Sequence, residues 1–274
     1  MKEETTYKVN NYVTDLQNCG KRYFLKEEIK DKFPSFSESA ITSALKRLTE
    51  NKRILSVWRG FYVIISVEYA KNAILPPFLY LDSLMHYLDR PYYFALLNAA
   101  EFYGAAHQCP QQYAVVTVLP PLRDTNKRNT KIIYISTRKV IPQKWLRQFK
   151  TQSGYIQVSS PELTAADLIT FQKEIGGINR ACNVLYELME VVKFGKLDGT
   201  FFEYVPASTI QRLGYLLENE LEQSKQAEIL FSKAKTYKCK FQKIPLKTGK
   251  SIEKCETDEK WKIIVNEYIE LDEM

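Results

Sequence analysis

"FSESAITSALKRLTENKRILSVWRGFYVI", residues 36–64, is the stretch on which the reading of this chain turns. Placed at about 100° per residue, Ala40, Ile41, Ala44, Leu45 and Leu48 share one helical face, the period of a helix docked on a core. The opposite face carries Ser39, Thr42, Ser43, Lys46 and Glu50, with Arg47 on its flank. These hydroxyls and short side chains let a polar partner approach the backbone closely. Ser37 predicts an N-cap, although Ala40 stands where a Glu or Gln would complete a capping box. "ILSVWRGFYVII" then alternates as a β-hairpin does, and Gly60 offers the positive φ of its turn.

Two shorter helices precede this stretch. Val9, Tyr12, Val13 and Leu16 fall at helical spacing within residues 7–17, and "NCGK" ends that helix with a glycine. Leu25, Ile29 and Phe33 line one side of a second helix, which Pro34 stops. Helix, helix, helix, hairpin is the layout of a winged helix-turn-helix, in which the third helix enters the major groove of DNA and the hairpin touches the flanking backbone. On that reading Ser39, Thr42, Ser43, Lys46 and Arg47 contact bases and phosphates of double-stranded DNA, and Trp58, Arg59 and Gly60 form the wing. A solvated helix face would account for the same side chains singly; the order of the elements decides for the DNA-binding layout.

Pro76-Pro77 breaks the periodicity and predicts a junction, giving a domain over residues 1–72 and a larger one over 73–274. In the second, helices are predicted at 78–88, at 91–106 with Pro91 in its first position, at 164–175 with Thr164 as cap, at 177–194, and at about 207–223 and 224–237. Runs at 113–119, 131–136 and 155–160 read as strands, and shorter extended runs follow at 238–246 and 261–269. Gly176-Gly177 separates two helices. The expected fold class is therefore α+β, a winged helix-turn-helix followed by a larger mixed α/β domain.

Hydrophobic content of 45% with 26% charged residues excludes a disordered or fibrous chain. Neither an apolar run long enough to span a membrane nor a signal-peptide segment is present, so no membrane partner and a cytoplasmic location are expected. Five cysteines and two histidines without Cys-x-x-Cys spacing suggest neither a metal site nor a disulfide framework. His107 and Cys109 could be imagined as a nucleophile pair, but a histidine there more simply caps the preceding helix, and His86 is expected to pack at a helix edge. Glu162, Asp167, Glu187 and Glu190 could serve a metal-dependent nuclease, yet no phosphate loop, Asp-x-Asp pair or nucleophile motif accompanies them. No catalytic residue, metal or cofactor is assigned, and a non-enzymatic protein is expected.

The net charge of +7 is unevenly placed. Residues 71–150 carry 11 Lys and Arg against 4 Asp and Glu, whereas residues 151–274 carry 16 against 19. The most one-sided stretch, 123–150, suggests a second phosphate-contacting patch of Arg123, Lys127, Arg128, Lys131, Arg138 and Lys139, with Lys144, Arg147 and Lys150 beyond it.

"YYFALLNAAEFYGAAHQCPQQYAVVT" (92–117), "SPELTAADLI" (160–169) and "GGINRACNVLYELME" (176–190), together with the hairpin "ILSVWRGFYVI", resemble the AbiEi family of antitoxins over nearly all of the chain to about residue 225. The resemblance implies the antitoxin of a bacterial type IV toxin-antitoxin, or abortive infection, system. Such antitoxins counteract an AbiEii-like nucleotidyltransferase toxin and repress their own operon by binding inverted repeats in its promoter, with antitoxin activity in the larger domain. The residues themselves support a DNA-binding module joined to a larger domain, which fits a stand-alone transcriptional regulator with a ligand- or partner-sensing second domain as well.

Overall fold

The computed structural model describes residues 2–70, 75–105 and 112–271. The N-terminal module begins with helix α1 (Lys2–Asn18), strand β1 (Tyr23–Leu25), helix α2 (Lys26–Lys32) and helix α3 (Glu38–Glu50). Strands β2 (Ile54–Trp58) and β3 (Phe61–Ile64) and a single turn α4 (Val67–Ala70) complete it. The order read from the sequence is the order observed, with β1 added: it pairs antiparallel with β3 and makes a three-stranded sheet, β1-β3-β2. Ile41, Ala44, Leu45 and Leu48 of α3 are buried with Val9, Val13, Phe24, Ile29, Ile54 and Ile64, so α3 is packed through the predicted apolar face. Ala40, at the edge of that face, is half-buried. The first helix is longer than the sequence suggests: Thr5, one turn before Val9, is buried and carries its packed face further toward the N-terminus.

The second module opens with a 3-10 turn at Pro77–Leu79 and helix α5 (Leu81–Tyr87). Next come strand β4 (Tyr92–Phe94), helix α6 (Leu96–Phe102), and strands β5 (Gln112–Val118), β6 (Thr125–Lys127), β7 (Thr130–Thr137), β8 (Leu146–Thr151) and β9 (Gly154–Ser159). Helices α7 (Pro161–Thr170), α8 (Ile178–Leu188), α9 (Gly199–Tyr204), α10 (Ala207–Asn219) and α11 (Ser224–Thr236) follow. Short strands β10 (Ile244–Pro245), β11 (Thr257–Asp258) and β12 (Ile263–Ile264) form a small sheet against α10, where the fully buried Trp261 leaves no room for a side chain at Gly214.

Six strands form a mixed sheet in the order β6-β7-β5-β4-β9-β8. β5 and β7 are parallel, as are β4 and β9, while β4-β5, β6-β7 and β8-β9 are antiparallel. Here the structure departs from the expectation. Tyr92–Phe94, expected to begin a helix, is a strand flanked by two others, where aromatic residues suit the pleated surface and both faces are buried. Leu96, at φ 56, turns the chain sharply into α6. The cap of α7 is Ser160, whose Oγ accepts from Leu163 N at 3.3 Å with Pro161 in the first turn, so Thr164 lies inside the helix instead of starting it.

Strand alternation sends side chains to two different cores. Tyr93, Ala114, Val116 and Ile133 face α6, α7, α8 and α10 in the larger cluster. Tyr92, Phe94, Val115, Ile132, Tyr134, Ile156 and Val158 face the other way, onto Leu81, Leu84 and Met85 of α5 and onto Leu55, Val57, Phe61 and Val63 of the β2-β3 hairpin. The hairpin thus lies between its own three helices and the large sheet, buried on both faces.

Because this seam is a continuous core, the chain is expected to unfold in one transition. Phe61→Ala removes a fully buried ring that stacks on Tyr23 at 4.8 Å and packs on Tyr87 at 5.6 Å. It should cost about 3–5 kcal/mol and lower the melting point of the whole chain. A calorimetric scan in which the N-terminal module melts separately, with the second module unaffected, would contradict a shared core.

Candidate nucleic-acid interface

Helix α3 is held so that its polar face is outward. The Ser37 Oγ accepts from Ala40 N at 3.2 Å and caps the helix, a bond worth about 1 kcal/mol. Ser39, Thr42, Ser43, Lys46 and Glu50 are exposed. Glu38 meets Lys26 at 3.1 Å and Lys30 at 3.2 Å, and these hydrogen bonds hold its carboxyl below the usual range. The Lys26 ammonium also donates to Thr42 Oγ1 at 3.1 Å. Lys26 and Lys30 therefore neutralise the acid that opens the helix, and their side chains belong to the same surface. The sequence reading missed both, although their spacing of four on α2 puts them on one helical face.

Other predicted positions are more constrained. Arg47 is half-buried and donates to Thr6 Oγ1 at 3.3 Å, so it braces α1 against α3. Trp58 is half-buried against the seam cluster. Arg59 is exposed at the hairpin tip, and Gly60 adopts φ 81 with no room to spare: a β-carbon there would sit 3.2 Å from Tyr87 Oη and 3.7 Å from Glu27 Oε2.

The basic stretch 123–150 does not form one patch. Strand order places β6 and β8 at opposite edges of the sheet, ~24 Å apart at the usual spacing, so Arg147 and Lys150 are remote from Lys127 and Lys131. Arg128 and Asn129 form the β6-β7 turn with φ 48 and 64, and the Arg128 guanidinium donates to Thr49 O at 2.6 Å. That carbonyl belongs to the last turn of α3, where it also accepts from Lys52 N at 3.1 Å and where the helix dipole favours a cation. Arg128 is thus a strut between modules. Lys139 donates to the carbonyls of Glu203 and Tyr204 at 2.7 and 2.8 Å, closing the end of α9, and Lys144 pairs with Asp198. Arg123, Lys127, Lys131 and Arg138 are exposed.

The acidic candidates separate in the same way. Glu162 and Asp167 are buried on α7, and the Glu162 carboxylate accepts from Lys193 N at 3.2 Å. Burial drives the Asp167 carboxyl well above its ordinary value, opposed by a hydrogen bond from Tyr93, whose hydroxyl also lies 3.1 Å from that of Tyr204. His86 is exposed on α5 with Nδ1 2.9 Å from Asp82 O, instead of packing at an edge. His107 and Cys109 lie outside the described residues. Among the described residues no group of three or more His, Cys, Asp and Glu side chains could hold a metal, and no helix is long and apolar enough to cross a membrane.

Fold and surface together define a two-module α+β protein: a small helix-and-hairpin module fused to a mixed-sheet domain through a shared core. Residues 93–219, from β4 to the end of α10, match the AbiEi antitoxin C-terminal domain, so this part of the chain is similar to that domain. A crystal structure of the RV2827C protein from Mycobacterium tuberculosis has the same fold, with a TM-score of 0.63 over 92% of this chain and 89% of that one at 16% sequence identity. No curated protein matches the chain.

The buried acid makes a pH prediction. A carboxyl whose folded pKa is raised contributes stability that is fully present below its unfolded value and is lost as pH rises toward the folded value. Above about pH 4 this group should cost about 1.4 kcal/mol per pH unit until the folded pKa is reached. Asp167→Asn should remove that slope, so in urea unfolding the variant should gain on the wild type steadily as the pH is raised from weakly acidic to neutral. Parallel stability curves for the two proteins would show that Asp167 is ionised in the fold.

Proposed function

We propose that residues 1–72 form a winged helix-turn-helix that binds inverted repeats in the promoter of the chain's own operon, and that residues 73–274 carry the antitoxin activity against a nucleotidyltransferase toxin encoded beside it. The observation that carries the DNA-binding half is α3: its apolar face is buried, its capped N-terminal end is flanked by Lys26 and Lys30, and Ser39, Thr42, Ser43 and Lys46 are left exposed on one side. A helix docked in this manner meets the requirement of a groove reader, with short hydroxyl side chains for close approach and a lysine for a guanine or a phosphate. Arg59 at the hairpin tip supplies the flanking backbone contact. The antitoxin half is supported by the similarity of residues 93–219 to the AbiEi antitoxin C-terminal domain. The protein acts in the cytoplasm by binding and not by catalysis, as an autorepressing antitoxin.

The double variant Lys46→Ala, Arg59→Ala tests the division of labour. Operator affinity should fall by about 1–3 kcal/mol for each side chain that is bidentate to a base and by less for one that meets a phosphate. The same variant should still rescue growth when the neighbouring toxin is expressed. Undiminished operator binding by the folded double variant would rule out α3 and the hairpin as the DNA-reading surface, and loss of rescue would show that antitoxin activity needs DNA binding.

A second phosphate surface is proposed at Lys127 and Lys131, which Arg128 carries to the C-terminal end of α3. Lys127→Glu with Lys131→Glu should flatten the dependence of log affinity on log salt by roughly 0.9 for each phosphate no longer neutralised, while operator preference is kept. Arg128 is left unchanged in this test because its removal would move α3 itself. A salt slope equal to that of the wild type would assign these lysines to solvent or to another partner.

A further inference from the structure

A cleft of about 310 Å³ opens where the two modules meet. On one side are Lys21, Arg22 and Tyr23, from the corner between α1 and β1; on the other are Leu79, Ser83 of α5 and Ser153 of the β8-β9 turn. It is unrelated to the exposed face of α3 and takes no part in the DNA-binding proposal. Glu28, its one acid, is already engaged: Leu25 N donates to it at 3.0 Å and Lys21 pairs with it at 3.3 Å. Arg22 is different. The residue as a whole is half-buried, and its side chain makes neither an ion pair nor a hydrogen bond among the described residues.

A guanidinium in a cleft with no protein anion of its own is free to receive an anionic ligand. The groups around it narrow the class. Arg22 carries a fork of donors that matches a phosphate, and Ser83, Gln152 and Ser153, whose side chains can donate, line the facing wall. A tetrahedral polyanion can take donors from two opposed walls. Tyr23, stacked on Phe61 at 4.8 Å, and Leu79 give the cleft an apolar side for an organic group. The volume lies at the lower end of the range for ordinary small-ligand sites.

We propose that this cleft binds a small soluble phosphate compound, which bridges the N-terminal module and the mixed-sheet domain. Such a ligand touches the α1-β1 corner and the β8-β9 turn at once, so it stabilises the seam in the folded chain and raises its melting temperature by mass action.

Inorganic pyrophosphate is the probe, titrated calorimetrically into the full chain at fixed ionic strength. Saturable binding to a single site is expected, together with a concentration-dependent rise in melting temperature. Arg22→Gln should weaken it by about tenfold or more, the scale of a charge-assisted hydrogen bond. Ser153→Asp, an acid placed in an exposed turn on the opposite wall, should do the same with both cations intact. Lys225→Glu, exposed on α11 on the other side of the sheet, should bind as the wild type does. The proposal fails if pyrophosphate shows no saturable binding, or if the Arg22 and Ser153 variants bind it unchanged. It fails equally if Arg22→Gln lowers operator affinity while pyrophosphate does not bind, since the cleft would then take a phosphate of the DNA.

Discussion

Everything in this molecule depends on one packing constraint: the large sheet has two apolar faces, and of its own module's helices only the short α5 packs on the second, which the β2-β3 hairpin completes. Tyr92, Phe94, Val115, Ile132, Ile156 and Val158 would lie open to water on the second face without α5 and the β2-β3 hairpin. Burying side chains of this size is worth about 1.5–3 kcal/mol each, so a seam of this kind outweighs any surface ion pair in the structure. The hairpin that belongs by chain order to the N-terminal module belongs by packing to both. A proline pair at residues 76–77 marks a change of module, but it does not mark a place where the protein can be divided without exposing a core.

The same constraint explains what could be read from the sequence. The period of α3, its Ser37 cap and the glycine of the hairpin turn are local signals, encoded within one or two turns of chain, and each is found where the sequence places it. The strands at 112–118, 130–137 and 154–159 are legible for the same reason. Both faces of the hairpin are apolar as well: Ile54 and Ile64 point to the helices, and Leu55, Val57, Phe61 and Val63 point to the sheet. A hairpin with one face in solvent would alternate apolar with polar; reading "ILSVWRGFYVII" as such an alternation overlooks that its apolar residues fill both faces, the signal of a second covering layer.

Other features are set by pairings that no local pattern contains. Tyr92–Phe94 reads as the start of a helix because apolar residues continue into α6, and only its place between β5 and β9 makes it a strand. The basic run 123–150 is continuous along the chain and divided in space, because β6 and β8 end up on opposite edges of one sheet. Within it, Arg128 and Lys139 serve backbone carbonyls of α3 and α9, tasks that look from the sequence like any other exposed charge. The acids of α7 show the reverse. Glu162 and Asp167 read as possible catalytic groups, yet both are buried, one serving Lys193 N and the other the tyrosine pair.

Arg128 gives the seam its consequence for function. The apolar packing fixes the hairpin against the sheet but leaves α3 one layer away, where small rotations of a helix would cost little. A guanidinium on the carbonyl of Thr49 adds a directional bond at the far end of that helix, and the turn that presents it, with two consecutive residues at positive φ, has little freedom of its own. The helix proposed to read DNA is therefore tied to the sheet that lies in the region similar to the AbiEi domain. Arg128 is thus the side chain whose hydrogen bond joins the β6-β7 turn to the C-terminal turn of α3.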